Sequence, residues 1–249
     1  MEHLPGGSGG VWRDDDPELG PEVHRPTGPW TLAVHDLLVH LENAGLDGVP
    51  RPLGFDEDGR EVLTYLPGRT VDVDAEAAPD ATLAAAARWL RRFHDAVRAY
   101  DPGPRIWRQT AAPLEPGQLI CHNDTGAYNW VLDGDRFVGM IDWDQAGPGL
   151  PLDDLAFLCW SGVPLFRRVP TADAARRVAL AAGAYGGVDP ADLLDAVADR
   201  MRRASDRIAA GIRRGDPGML SLQAFGEPER TRARVAAFSA RMPALHRAL

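Results

Sequence analysis

Residues 119–144, LICHNDTGAYNWVLDGDRFVGMIDWD, decide how the rest of the chain is read. An apolar triplet, Leu119 to Cys121, gives way to a polar loop holding His122, Asp124 and Asn129, and then to a second apolar run, Trp130 to Leu132. Asp133, Gly134 and Asp135 make a turn, after which Phe137 to Ile141 lead to Asp142. Two short strands around an Asp-Gly turn form a hairpin, so a residue just before it and one at its far end face the same space. The pattern therefore predicts that Asp124, Asn129 and Asp142 converge. Such a set suits Mg²⁺-dependent transfer, because that ion takes one or two carboxylates, leaves other positions to water and phosphate, and needs a separate base.

The spacing H-x-D-x-x-x-x-N, with Asp142 thirteen residues after the Asn, resembles the catalytic loop and metal-binding Asp of the aminoglycoside phosphotransferase family. Gly149, Pro151, Asp154, Leu155 and Ala156 then reproduce that family's G-x-P-x-x-D-L-A segment. Three motifs in order are far more specific than a lone H-x-D. The run RPTGPWTLAVHDLLVHLENAGLDGVPRPLGFDEDGREVL is similar to a compact bacterial subgroup labelled phosphotransferase or trifolitoxin immunity proteins. The resemblance extends from about Val23 to past Trp160.

The resemblance implies an α+β, bilobal, protein-kinase-like fold with a small, reduced β-rich N-terminal lobe (1–67) and a mainly helical C-terminal lobe (68–249) carrying the catalytic loop and acceptor site. It implies an ATP- or GTP-dependent O-phosphotransferase acting on a small-molecule hydroxyl. Asp124 is then the base and His122 the brace of its loop. Asn129 and Asp142 hold Mg²⁺, and Asp154 supports the loop from the next helix. The strand cation that binds nucleotide phosphates falls to Arg25, with Arg13 second and His24 reached by a one-residue slip. Backbone groups of Thr64, Tyr65 and Leu66 face the adenine. A second reading is a catalytically silent relative that binds nucleotide, drug or peptide toxin and protects by sequestration.

Every one of the 27 basic residues is Arg, so a family that uses Lys on that strand must here use Arg. The guanidinium fork can hold two phosphate oxygens, which makes the exchange chemically workable. In kinases a helix Glu pairs with the strand cation; over 31–44 the inward positions are apolar, with His35 nearest the expected place.

At 249 residues the chain is long enough for one large domain or two small lobes. The net charge of −9 argues against a nucleic-acid partner. Charge is uneven: residues 166–249 hold 15 Arg and 9 acids, the first 165 hold 12 Arg and 27 acids. The acidic part would attract cationic substrates and Mg²⁺, or is simply a solvated surface. No apolar run reaches the roughly 18 residues of a membrane span, and MEHLPGGSGG lacks the features of a signal peptide, so a cytoplasmic monomer or homodimer is expected. Cys121 and Cys159 sit in apolar runs and read as reduced core thiols.

Outside the motif, Gly6, Gly7, Gly9 and Gly10 suggest either a loop over phosphates or a flexible tail. Residues 22–26 read as a strand and 27–44 as a helix that Thr31 can cap. A hairpin turns at Asp56 to Gly59. From 79 to 100, Leu83, Ala87, Leu90, Phe93 and Val97 form one helical stripe, with His94 a packing residue. Residues 105–117 read as a loop and 150–160 as a buried helix. Amphipathic helices follow at about 171–185, 189–213 and 227–249, the second opened by Asp189 and Pro190 as cap and first residue.

Overall fold

The computed structural model describes residues 2–4, 10–17 and 20–249; Gly6, Gly7 and Gly9, the core of the suggested phosphate loop, lie outside the described residues. An antiparallel sheet occupies the N-terminal part: β1 (Glu2–Leu4), β2 (Val11–Asp16), β3 (Gly20–Arg25), β4 (Pro52–Phe55) and β5 (Glu61–Thr64), in the order β1-β2-β3-β5-β4. Helix α1 (Thr31–Asn43) crosses between β3 and β4. The C-terminal part is mainly helical, giving the expected α+β division.

Strand β3 shows why register matters. Successive side chains on a strand point to opposite faces. Glu22 and His24 are buried on one face, where the His24 ring bonds Glu22 and Asp56 at 2.8 Å each. Arg25 takes the other face, toward the catalytic loop, so the one-residue slip that would have presented His24 does not occur. Arg13, the other candidate, pairs with Asp15 at 2.9 Å and stacks its guanidinium 4.6 Å from the Tyr65 ring centre.

Helix α1 buries Val34, Leu37, Leu38 and Leu41, a stripe with 3–4 residue spacing. Its start corrects the expected cap. Thr31 is the first helical residue, Trp30 precedes it, and the Thr31 hydroxyl accepts from Gly28 N–H at 2.9 Å, bracing the turn before the helix. The loop after α1 then meets the hairpin of the opening stretch: Met140 N–H donates to the Gly48 carbonyl at 2.9 Å. At Gly139 a Cβ would lie 2.1 Å from that same carbonyl oxygen, so only glycine allows this approach.

The hairpin is β7 (Trp130–Asp133) and β8 (Arg136–Met140), paired antiparallel around the Asp-Gly turn. Strand β6 (Leu119–Cys121) does not join it; it pairs with β9 (Gly147–Gly149), which the apolar pattern alone did not reveal. The two ribbons hold the loop 122–129 between them. Helix α2 (Asp80–Ala96) buries the predicted stripe, with Leu83, Ala87, Leu90 and Phe93 each at 2% exposure or less. Each such Leu or Phe contributes about 1.5–3 kcal/mol by leaving water. Helix α3 (Pro151–Gly162) lies entirely within the core from Asp154 onward.

Helices α4 (Thr171–Tyr185), α5 (Pro190–Arg214) and α7 (Glu229–His246) follow close to the expected bounds, with a short α6 (Pro217–Ser221) between the last two. Asp189 caps α5 by accepting from Ala191 N–H at 2.7 Å, and Gly215, at φ 75°, ends it. Cys121 and Cys159 are free and buried. Among the described residues no helix is long and apolar enough to cross a membrane.

Candidate active site

Asp154 organises the catalytic loop from beneath. It is fully buried, and its Oδ2 accepts from His122 N–H at 2.8 Å while its Oδ1 accepts from Asn123 N–H at 2.8 Å. His94, from α2, lies 3.1 Å from Oδ2 through Nε2, and its Nδ1 lies 2.8 Å from the Tyr185 hydroxyl. Burial opposes ionisation of Asp154, but the bonds from His94 and the backbone outweigh it and hold the carboxyl below its ordinary pKa. His94 is therefore more than a packing residue: it fixes the carboxylate that fixes the loop.

His122 is fully buried against Trp143. Its Nδ1 accepts from Asp124 N–H at 3.3 Å, which leaves Nε2 to donate to the Ile141 carbonyl at 3.2 Å. Burial lowers its pKa, so the ring is neutral. With both nitrogens bonded to backbone, His122 ties the start of the loop to the residue before Asp142.

Asp124 faces Asn129 and Tyr128. Asn129 Nδ2 donates to the Asp124 carbonyl at 2.9 Å and to Oδ2 at 3.1 Å, and the Tyr128 hydroxyl donates to Oδ1. Burial first, then the charge of Asp142, pushes the Asp124 pKa up to about 6; Tyr128, Arg200 and Asn129 restrain the rise. At neutral pH the carboxyl is mostly ionised and basic enough to take a proton. Asn129 spends its amino group on Asp124, and its Oδ1 has no hydrogen-bond partner among the described residues.

Asp142 sits at the far end of the hairpin with φ 65°. Asn123, one residue before Asp124, has φ 62°; these are the two non-glycine residues in the left-handed region among those described. Such conformations cost about 1–3 kcal/mol and persist where surrounding bonds impose them. The Asp142 side chain is 44% exposed, open to a ligand on one side. The donor set of Asn129 Oδ1 and the Asp142 carboxylate, all oxygen and carrying one negative charge, fits Mg²⁺ completed by water and phosphate.

Arg25 closes the site from the sheet. Its Nη2 lies 2.6 Å from Asp144 and 3.3 Å from Asp142, and its Nε lies 3.1 Å from Glu61. Burial weakens its charge, yet Asp144, Asp142 and Glu61 together hold it more firmly protonated than an ordinary Arg. Glu61, on β5, also takes His35 Nε2 at 3.0 Å. The carboxylate partner of the strand cation thus comes from a neighbouring strand, and the helix supplies the histidine behind it. Asp144 is a shared carboxylate between Arg25 and Arg108, the latter at 3.1 Å. Glu61 and Arg108 were not legible as site residues, since each stands alone in a strand or loop without a motif around it.

The expected adenine-facing segment begins at Thr64, the last residue of β5, and runs on through Tyr65 and Leu66. Thr64 N–H donates to the Arg51 carbonyl and Tyr65 N–H to the Pro21 carbonyl, each at 2.9 Å. Both of these donors are engaged with backbone carbonyls, and Leu66 N–H has no backbone partner among the described residues.

Residues 104–194 match the phosphotransferase enzyme family. The trifolitoxin immunity protein of Rhizobium leguminosarum bv. trifolii is 38% identical over 155 residues, 59% of this chain and 58% of that relative. The chain therefore matches a little over half the length of this curated relative. Among solved structures, amicoumacin kinase hAmiN in complex with AMP-PNP, Ca²⁺ and Ami superposes with a TM-score of 0.66 at 14% identity, covering 97% of this chain and 87% of that one. Macrolide 2'-phosphotransferase MphH from Brachybacterium faecium gives 0.56 at 19% identity, covering 95% and 91%. At such identities the likeness establishes the fold alone. Residues 104–194 are thus similar to the phosphotransferase enzyme family, and the chain shares a kinase-like fold with these solved structures along nearly its whole length.

Proposed function

We propose that the protein is a small-molecule O-phosphotransferase that uses ATP or GTP with Mg²⁺. The observation that carries this reading is the convergence of Asp124, Asn129 and Asp142 beside the buried cation Arg25. Asp124 accepts the proton of the acceptor hydroxyl, and Asn129 and Tyr128 keep its carboxylate oriented toward that hydroxyl. His122 and Asp154 hold the loop so that this geometry persists between turnovers. Asn129 and Asp142 would hold Mg²⁺, which neutralises phosphate charge during transfer. Arg25 contributes a fixed positive charge for the phosphates, and Leu66 a backbone contact for the base. The hydrogen bonds from Asn129 and Tyr128 and the raised pKa of Asp124 support its role as base, in a reaction that is mostly positioning and charge neutralisation.

The test is nucleotide consumption with Mg²⁺ across aminoglycosides, macrolides, sugars, amino alcohols, hydroxy acids and peptide antibiotics. Asp124→Ala should abolish acceptor-dependent turnover while leaving nucleotide affinity within a few-fold. Full turnover by that variant would refute the assignment.

A second reading is favoured by one contact. Arg25 already bonds Asp142 and Asp144, and a metal must share or displace that cation, as suits a silent relative that protects by sequestration. Calorimetry with Mg²⁺ and ATP or GTP separates the two, because a chain that binds neither nucleotide is not the proposed kinase.

A further inference from the structure

Against the 122–129 loop lies a cavity of about 210 Å³ whose walls include Gln118, Asn123, Gly149, Arg200, Arg203 and Arg207. The three arginines come from successive turns of α5, spaced so that one helix face presents them together. Asp153 is the one carboxylate in the wall, and it is taken by Arg203.

That leaves two guanidinium groups that make no ion pair with any of the described residues. Arg200 is 3% exposed; its Nη2 donates to the Asn123 carbonyl at 2.7 Å, its plane covers Phe157 at 4.5 Å, and its Nη1 is buried with no partner. Arg207 has no hydrogen bond or ion pair to any described residue. Burial, followed by the like charges of Arg200 and Arg203, brings its pKa down to about 10, with Asp124 and Asp153 pulling the other way. Desolvated like charges are unfavourable unless a partner of opposite sign arrives, and an unpaired buried donor costs about 1–3 kcal/mol. A guanidinium fork matches the two oxygens of a carboxylate better than any other common group.

Resting on the phosphotransferase reading above, we propose that the acceptor is an acidic alcohol whose carboxylate seats between Arg200 and Arg207 while its hydroxyl reaches Asp124. The cavity is smaller than the roughly 300 Å³ at which drug-sized sites begin, so it holds one end of an acceptor or a compact acceptor. Arg200 joins the two places, since it bonds the carbonyl of the residue preceding Asp124. The same arginines repel amines, so the acidic bias of the first 165 residues does not carry over to this cavity. A polycationic aminoglycoside is thereby disfavoured here.

The experiment follows the side-chain Nε–H NMR signals of Arg200 and Arg207 in the full chain with Mg²⁺ and a non-hydrolysable ATP analogue. Glycerate and N-acetylserine are titrated against their amides and against ethanolamine, with acetate and sulfate as hydroxyl-free anions, all at constant ionic strength. The expected result is a saturable shift of Arg207 with the hydroxy acids, weaker shifts with acetate and sulfate, and none with amides or ethanolamine. Arg207→Gln should weaken hydroxy-acid binding by about tenfold, the size of one charge-assisted bond, and Arg207→Lys should recover part of it. Equal shifts from amides, no shift from any acid, or unchanged binding in Arg207→Gln overturns the proposal, and sulfate or acetate binding as tightly as the hydroxy acids reduces it to an adventitious anion only. Nucleotide affinity measured in the same samples keeps the readings apart: retained nucleotide binding with no acid binding rejects this inference alone, whereas no nucleotide binding rejects the phosphotransferase reading.

Discussion

Asp154 shows how a single buried carboxylate sets the geometry of the 122–129 loop. Its two oxygens receive the N–H groups of His122 and Asn123, and His94 and Tyr185 complete the chain behind it. An amide at this position has one acceptor oxygen, and its NH₂ would face a backbone donor. Asp154→Asn should therefore leave at least one buried N–H unsatisfied, at a cost of about 3 kcal/mol. Urea unfolding would register this as a lower midpoint with an unchanged slope. Acceptor-dependent turnover should fall with it, because the left-handed backbone at Asn123 depends on the same bond. A variant of wild-type stability would show that His94 and the neighbouring backbone hold the loop unaided. The sequence pointed to Asp154 through its motif, but His94 read as packing, since a histidine in an apolar helix stripe looks the same whether it fills space or binds a carboxylate.

At the scale of elements, two contacts depend on position within a strand. Gly139 on β8 touches the loop after α1 so closely that Gly139→Ala forces the strands apart, costing about 2 kcal/mol by overpacking. Thermal unfolding should then fall by roughly 4–8 °C. A change under one degree would mean that the 45–50 loop yields freely. Strand β3 carries the second. His24 is buried between Glu22 and Asp56; burial alone would lower its pKa, but the two carboxylates prevail and raise it above 6.5. A group with a raised folded pKa stabilises fully below its unfolded pKa and loses that contribution as pH rises through the folded value. The stability gap between the protein and His24→Gln should accordingly narrow from pH 6 toward pH 9, and a pH-independent gap in melting temperature would rule this out. Local pattern made β3, β5 and the β7–β8 hairpin readable, because alternation and turn residues are written in adjacent positions. The β6–β9 pairing was not readable, because it joins segments separated by the whole hairpin and rests on Gly147, Pro148 and Gly149, which have little strand preference of their own.

For the whole molecule the decisive question is how the sheet speaks to the helical part across the cleft. Arg25 makes that link, with Glu61 and His35 behind it and Asp142 and Asp144 in front. The family resemblance pointed to Arg25, in a chain without Lys, yet could not show that it already leans on Asp142, the carboxylate proposed to hold Mg²⁺. This arrangement makes opposite demands on two ligands. A divalent cation alone competes with the guanidinium for Asp142, whereas nucleotide phosphates attract it. Arg25→Gln should thus weaken binding of Mg²⁺-nucleotide by about tenfold or more, the loss of one charge-assisted contact, while leaving binding of Mg²⁺ or Mn²⁺ alone unchanged or stronger. Paired calorimetric titrations, with metal alone and with metal plus ATP or GTP, read the two effects separately. If Arg25 serves only as a clamp between the two parts, both affinities move together and the melting temperature falls, and its assignment to the nucleotide is then wrong.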